Sequence, residues 1–376
     1  MSLTISKLEL REIHLPLREA FAISSGTTSL RRILLVRLED RDGAVAWAEC
    51  VAGEHPNYSS ETIDTAWLAL REWVAPRVLG RRFEGPAAVA PALEESFRGH
   101  RMAKAVVEMG SWALEATRRG EPLARVIGGI RERIPIGISL GIEREPGALV
   151  ERVEAALARG YRKVKLKIKP GFDVPFVAAV REAVGPDAPL MVDANSAYTL
   201  ADGQRLVELD RFGLMMIEQP LACDDLVDHA DLQARLTTPL CLDESITSIA
   251  RARHMVALGS GRIVNIKPGR VAGFTASLAI HDYCAAQGVP VWCGGMLESG
   301  VGRAYNVALA SLSNFSIPGD VSPSARYWER DIVIPEWTMA GDGTMGVPLE
   351  RPGLGVSLDL DRVENLTVRR EAVAEQ

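Results

Sequence analysis

The segments PLMVD (residues 189–193), LMMIE (214–218) and PLCLD (239–243) follow one another at intervals of 25 residues, and each ends on an acid: Asp193, Glu218 and Asp243. Each is short, apolar and bounded by turn residues, which reads as a buried strand. Working outward, KVKLKIK (163–169) precedes them and IVNIK (263–267) follows in the same rhythm. IPIGISL (134–140) stands before that group and PVWCG (290–294) after it, and a weaker run, NFSIP (314–318), closes the series. The connections carry helically spaced apolar residues, as in GALVERVEAALARGY (147–161), LADGQRLVELDRF (200–212) and ITSIARARHMVAL (246–258). Strand, helix, strand in regular succession marks βα units on a parallel sheet. Seven or eight such units in a row favour a closed barrel. An open doubly wound sheet is expected to carry a phosphate loop, and neither G-x-G-x-x-G nor G-x-x-x-x-G-K-[ST] occurs.

The flanks lack this rhythm. Strand-like runs at 8–15, 32–38 and 45–50 precede helical runs at 61–78 and 103–118, an α+β order. The stretch from Arg330 reads as short strands and turns returning to the N-terminal unit. The expected domains are therefore an N-terminal capping domain over 1–130, a barrel over 131–326 and a C-terminal segment, 327–376, that rejoins the cap.

Composition narrows the function classes. The chain has 376 residues, 47% apolar and 24% charged, as expected of a globular protein. Its net charge of -6 argues against a nucleic-acid partner. No apolar run approaches the ~20 residues of a membrane span, and the first residues lack the apolar core of a signal peptide. Five scattered cysteines without a C-x-x-C pair fit reduced thiols, hence an expected cytoplasmic location. The six histidines form no H-E-x-x-H.

Charge at the strand ends carries the functional argument. Lys167, Asp193, Glu218, Asp243 and Lys267 are spaced 26, 25, 25 and 24 residues apart, so each holds the same place in its unit. In a parallel barrel those places converge on one mouth. Three converging carboxylates repel one another unless a cation holds them, and an all-oxygen set suits a hard ion, Mg²⁺ first, with Mn²⁺ as a possible substitute. The other reading makes each acid the N-cap of the next helix. In KVKLKIK the lysines alternate with Val164, Leu166 and Ile168, so the lysines face the barrel axis and the apolar residues face the helices; on an edge strand the same pattern would be a solvated face. Burial and like charge are expected to lower the pKa of the inward lysines, with Arg270 acting on Lys267 in the same sense. Lysines on both sides of a metal suit removal of a proton α to a carboxylate and stabilisation of the enolate, followed by reprotonation or β-elimination.

Lys165-x-Lys167, Val-Asp193-Ala-Asn195, Ile-Glu218-Gln-Pro, Leu-Asp243-Glu-Ser and Asn265-Ile-Lys267-Pro-Gly-Arg270 resemble the muconate-lactonising branch of the enolase superfamily. Within it the chain is similar to the o-succinylbenzoate synthase / N-succinylamino acid racemase group. Trp47-Ala-Glu-Cys-Val, Tyr58-Ser-Ser-Glu-Thr and Gly294-Gly-Met-Leu-Glu-Ser-Gly extend the likeness over nearly the whole chain. The resemblance implies an α/β protein: a (β/α)7β modified TIM barrel with an α+β capping domain. It implies Asp193, Glu218 and Asp243 as metal ligands and Lys167 and Lys267 as the acid/base pair. Lys165, Ser139, Asn195, Arg270, Gly295 and Met296 would bind substrate or tune the lysines, and residues 18–28 would form a mobile capping loop. The implied reaction is syn-dehydration of a cyclohexadiene carboxylate to o-succinylbenzoate in menaquinone synthesis. Racemisation of N-acylamino acids is the alternative, and muconate cycloisomerisation or a metal-binding scaffold without turnover lies further off. The expected partner is a small-molecule carboxylate, without nucleic acid or membrane, and the expected assembly is a homo-oligomer.

Overall fold

The computed structural model describes residues 2–374. Two sheets organise it. The first is antiparallel and built from β1 (Leu3–Ile23), β2 (Gly26–Asp40) and β3 (Val45–Cys50). The second holds seven parallel strands in sequence order: β4 (Gly137–Leu140), β5 (Lys163–Lys167), β6 (Leu190–Asp193), β7 (Ile217–Glu218), β8 (Leu240–Leu242), β9 (Ile263–Ile266) and β10 (Val291–Cys293). β11 (Thr367–Ala374) then pairs antiparallel with β1, Lys7 opposite Ala374, so the end of the chain completes the N-terminal sheet.

The weak eighth run forms no strand of its own, yet it closes the barrel. Phe315 bridges to Val291 on one side and Gly319 to Ile136 on the other. Gly137 N donates to the Gly319 carbonyl at 2.7 Å, and Asp320 N to the Cys293 carbonyl at 2.9 Å. Pro318 lacks an N–H at this point, which limits the segment to isolated bridges. The first predicted strand is also split. Residues Arg133–Pro135 pair with Thr344–Gly346, and only Gly137–Leu140 enter the barrel.

Inward positions sort by depth along the barrel axis. Met191, Met216, Cys241, Ile263 and Trp292 form an apolar floor separate from the main core. Two residues further along each strand stand Asp193, Glu218, Asp243, Asn265 and Gly294, as a period of two requires. Lys163, Lys165 and Lys167 are all buried, and Lys163 lies 3.3 Å from the centroid of the Trp292 ring. The alternation read from KVKLKIK therefore holds, with the lysines inside.

Two glycines make room for these lysines. A Cβ on Gly137 would stand 2.7 Å from Lys163 Cε, and one on Gly294 would stand 2.6 Å from Lys267 Cε.

Carboxylates fix the cap to the barrel by serving as helix N-terminal acceptors. Glu108, on the helix Arg101–Arg119, accepts from Phe274 N and Thr275 N at the start of the helix Phe274–Ala286. Glu49 of β3 accepts from Ser299 N and Gly302 N at the start of Gly300–Ala310. Each such cap contributes about 1 kcal/mol, and together they set the antiparallel sheet beside the barrel mouth.

Residues 18–28, expected as a loop, are a two-stranded ribbon. Phe21 pairs with Thr28, Ala22 with Thr27 and Ile23 with Gly26, extending β1 and β2 beyond the sheet. Ribbon backbone docks on the barrel loops: Ile142 N donates to the Ala22 carbonyl at 3.1 Å and Arg18 N to the Tyr327 carbonyl at 2.8 Å. Among the described residues, no helix is long and apolar enough to cross a membrane.

Candidate active site

The mouth gathers the charged residues expected there. Asp193 and Glu218 end adjacent strands in register, and Asp243 follows the last residue of β8. Exposure of all three is at most 1%. Lys165 Nζ lies 3.2 Å from Asp193 Oδ2 and 3.1 Å from Glu218 Oε2, bridging the two acids. Lys167 Nζ donates to Asp193 Oδ2 and Asn195 Oδ1, both at 2.6 Å. Across the mouth, Lys267 Nζ donates to Asp243 Oδ2 at 2.8 Å. Arg270 donates to the other Asp243 oxygen through Nη1 and to the Ile246 carbonyl through Nε.

Ser139, Gly295 and Met296 also reach the mouth. Ser139 is buried opposite Lys165 in the β4–β5 register, and its hydroxyl has no hydrogen-bond partner. Gly295 lies against the Asp320 carbonyl, where a Cβ would stand at 2.7 Å. Met296 lines a small cavity beside Lys267, with Glu49, Val51, Met109 and Glu298.

Several mouth residues escaped sequence reasoning. Asp320 Oδ2 lies 2.6 Å from Lys165 Nζ and Asp320 Oδ1 3.1 Å from Lys163 Nζ. It follows Lys267 by 53 residues, two steps of the barrel rhythm, so phase alone could have found it. Tyr58 reaches in from the cap and donates to Asp243 Oδ1 at 2.9 Å. Glu244 accepts from Asn195 Nδ2 at 2.9 Å, and Glu218 from Asn265 Nδ2 at 2.7 Å. Gln219 organises two loops at once: its Oε1 accepts from Asp243 N and Ser245 N, and its Nε2 donates to Ser245 Oγ. Asn195, Gln219 and Leu297, all just past strand ends, hold φ of 43°, 38° and 56°. Left-handed backbone of this kind in non-glycine residues concentrates at functional sites.

Electrostatics correct one expectation. Burial does push the lysines down, but the carboxylates at 2.6–3.2 Å outweigh it: Lys165 and Lys267 are both raised. Lys163, with a single acid and an aromatic face beside it, is lowered, by burial. Burial also raises Asp193, yet Lys167 and Lys165 bring it well below the usual carboxylate range. Glu218 is pushed up to about 7, by burial first and then by the charge of Asp193. Glu244 rises to about 8 through burial and the charges of Asp243 and Asp193.

Among the described residues, no three acid, histidine or cysteine side chains are drawn into a ready metal cage. Asp193 and Glu218 close on Lys165, and Asp243 on Lys267 and Arg270. The donor chemistry nevertheless suits a hard divalent cation. The three acids are buried at neighbouring strand ends, and Glu218 is destabilised as an anion by both of the others.

Comparison with known proteins agrees with this geometry. Residues 148–363 match the model of the enolase C-terminal domain-like family, and residues 6–128 match the mandelate racemase / muconate lactonizing enzyme N-terminal domain. The chain belongs to the enolase superfamily, in its mandelate racemase/muconate-lactonizing branch. Two relatives stand at 49% identity. One is an o-succinylbenzoate synthase from Geobacillus kaustophilus, with 98% of this chain and 97% of that protein covered. The other is an N-succinylamino acid racemase from Thermus thermophilus, with 97% of each covered. A crystal structure of an enolase-superfamily protein from Listeria innocua superposes with a TM-score of 0.95 at 39% identity, covering 99% of both chains. As a member of this superfamily the protein is an enzyme, and its mouth is where superfamily chemistry is to be sought.

Proposed function

We propose that the protein is an o-succinylbenzoate synthase, catalysing syn-dehydration of a 2-succinyl-6-hydroxycyclohexadiene carboxylate. The observation that carries this reading is the placement of Lys167 and Lys267 on β5 and just past β9, facing each other across the buried acids of the strands between. Five relatives at 39–49% identity bear the synthase name.

Asp193, Glu218 and Asp243 would hold Mg²⁺. When bound there, the ion supplies positive charge that draws in the substrate carboxylate and stabilises the charge developing on it. Lys167, as the free amine, takes the proton from the carbon α to that carboxylate. The C–H electron pair moves into the carboxylate to give an enediolate. Lys267, kept protonated by Asp243 at 2.8 Å, donates a hydrogen bond to the enediolate oxygen. The β-carbon to oxygen bond then breaks, and the hydroxyl leaves as water with the proton carried by Lys167, on the same face. Lys165 stays cationic between Asp193 and Glu218, two residues before Lys167 on the same face of β5.

N-succinylamino acid racemisation is the second reading. It is favoured by the placement of lysines on two sides and by the racemase relative at 49% identity. There Lys267 would have to act as a base. The deciding experiment follows o-succinylbenzoate formation and, separately, α-proton exchange of an N-succinylamino acid in D₂O by NMR, both with Mg²⁺. Lys167→Ala should lose at least 10²–10⁴-fold in both assays. Bound metal with neither reaction in the wild type would leave only a binding scaffold.

A further inference from the structure

The reading above implies a dianionic substrate, with one carboxylate at the acid trio and a second at the end of the succinyl arm. That second charge needs its own recognition, and the trio's lysines are already engaged. Lys165 is held by three acids, Lys167 by Asp193 and Asn195, and Lys267 by Asp243.

Arg326 offers what is missing. It ends the short turn Ser324–Arg326 after the closing segment, its side chain is 8% exposed, and Nη2 donates to the Ser139 carbonyl at 3.4 Å. Its Nε, although buried, has no hydrogen-bond partner. Ser139, whose carbonyl Arg326 reaches, has an equally unpartnered hydroxyl. Ser139 shares the inward face with Gly137, whose Cβ position abuts Lys163, so this hydroxyl points to the barrel axis next to Lys165. Buried unpaired donors are costly, and two of them, from adjacent ends of the barrel seam, mark a place built for an acceptor.

The acceptor's charge is written on the ribbon. Glu19 Oε2 lies 3.6 Å from Arg326 Nη1, outside hydrogen-bond distance, and 3.0 Å from Arg152 Nη2. Glu19 is 62% exposed and is held by Arg152, which is itself paired with Glu143 at 2.5 Å. A carboxylate thus already stands at ion-pair distance from Arg326, beyond hydrogen-bond reach, and Arg152 can keep Glu19 when another anion arrives.

We infer that Arg326 and Ser139 form a subsite for the terminal carboxylate of a succinyl arm, with Arg326 the specificity-determining residue and Glu19 its resident competitor. The inference rests on the function proposed above.

The test measures binding to the Mg²⁺-loaded protein by calorimetry, with two probes. One is o-succinylbenzoate, and the other is o-butanoylbenzoate, which has the same arm ending in methyl. Wild type should favour the succinyl compound, and Arg326→Met should shrink the ratio of the two affinities by about 10- to 100-fold, the effect of losing a hydrogen bond to a charged group. Arg326→Lys should recover part of the ratio, whereas Glu19→Gln, on an exposed side chain, should raise it. An unchanged ratio in Arg326→Met, or equal weakening of both probes, overturns the subsite while dehydration by the wild type keeps the parent reading intact. Should Arg326→Met not fold, an unmoved ratio in both Arg326→Lys and Glu19→Gln overturns it as well. No dehydration and no binding of either probe by wild type would remove the parent reading, and the subsite with it.

Discussion

Lys165 Nζ stands 2.6 Å from Asp320 Oδ2, with 4% of each side chain exposed, so the second strand of the barrel and its closing segment are joined by a buried ion pair. The closing segment makes only isolated bridges to its neighbours. Its few backbone hydrogen bonds are therefore reinforced by this pair and by the companion contact of Asp320 with Lys163 at 3.1 Å. Removing one partner of a buried pair costs about 3–5 kcal/mol. Asp320→Asn should lower the urea midpoint by a corresponding amount at unchanged m-value. A shift below about 1 kcal/mol would mean that Asp193 and Glu218 alone suffice for Lys165.

The same residue gives a pH dependence. Burial raises the Asp320 carboxyl, but Lys163 and Lys165 outweigh it and hold it at about 2, below its ordinary 3.8. A depressed carboxylate contributes its full stability above the unfolded-state value and loses it as pH falls toward the folded one. Wild type should therefore lose about 1 kcal/mol more than Asp320→Asn between pH 5 and pH 3. Urea melts at the two pH values measure this difference, and parallel losses in the two proteins would contradict it.

Tyr58 couples the cap to the mouth. Its hydroxyl donates to Asp243 at 2.9 Å and accepts from Lys267 at 3.2 Å and Arg270 at 3.3 Å. Tyr58→Phe keeps the ring packed over Lys267 and deletes only these bonds. Hydrogen bonds to charged groups are worth about 1.5–3 kcal/mol, so kcat should fall by roughly 10- to 100-fold with little change in the thermal midpoint. A collapse of stability with activity per folded molecule preserved would assign Tyr58 to cap docking instead.

Much of this arrangement was legible because a barrel repeats. Near-equal spacing brought Lys167, Asp193, Glu218, Asp243 and Lys267 to one mouth, and alternation turned Lys163, Lys165 and Lys167 inward. What escaped depends on contacts that no period encodes. Glu49 arrives from another sheet and Tyr58 from the loop that follows it, and whether residues 18–28 pair as a ribbon is decided by the loops they dock on. Asp320 sat at the expected phase, but its segment forms no strand to announce it. The direction of the lysine pKa shifts turned on distances. Burial and ion pairing oppose each other, and only geometry says which is larger.

Magnesium should act on stability as well as on rate. A ligand that binds only the folded protein stabilises it by RT ln(1 + [L]/Kd), about 2.7 kcal/mol at a hundred times Kd. Chelation should abolish dehydration, and Mg²⁺ titration should raise the urea midpoint in wild type. Glu218→Gln removes a charge that burial and the neighbouring acids already disfavour, so the metal-free protein should be no less stable, while the Mg²⁺-dependent rise weakens. A rise of equal size in the variant would take Glu218 out of the metal site.

Gly294 separates folding from chemistry more sharply. It occupies the inward position just after β10, two residues past Trp292, which pairs in register with Asn265 of β9. A Cβ there would stand 2.5 Å from both Asn265 side-chain termini and 2.6 Å from Lys267 Cε. Lys267 is a buried but flexible side chain, so it can yield by swinging its ammonium out of the line to Asp243. Asn265 can yield only by giving up its bond to Glu218. Both movements cost alignment before they cost stability, and a displacement near 1 Å in a catalytic group is enough for roughly 10²-fold in rate. Gly294→Ala should therefore lose about that factor in kcat while its unfolding midpoint moves by less than the ~1–3 kcal/mol typical of overpacking. Activity close to wild type would show that Lys267 does not need its present path past β10, and that its position across from Lys167 is not what sets the rate.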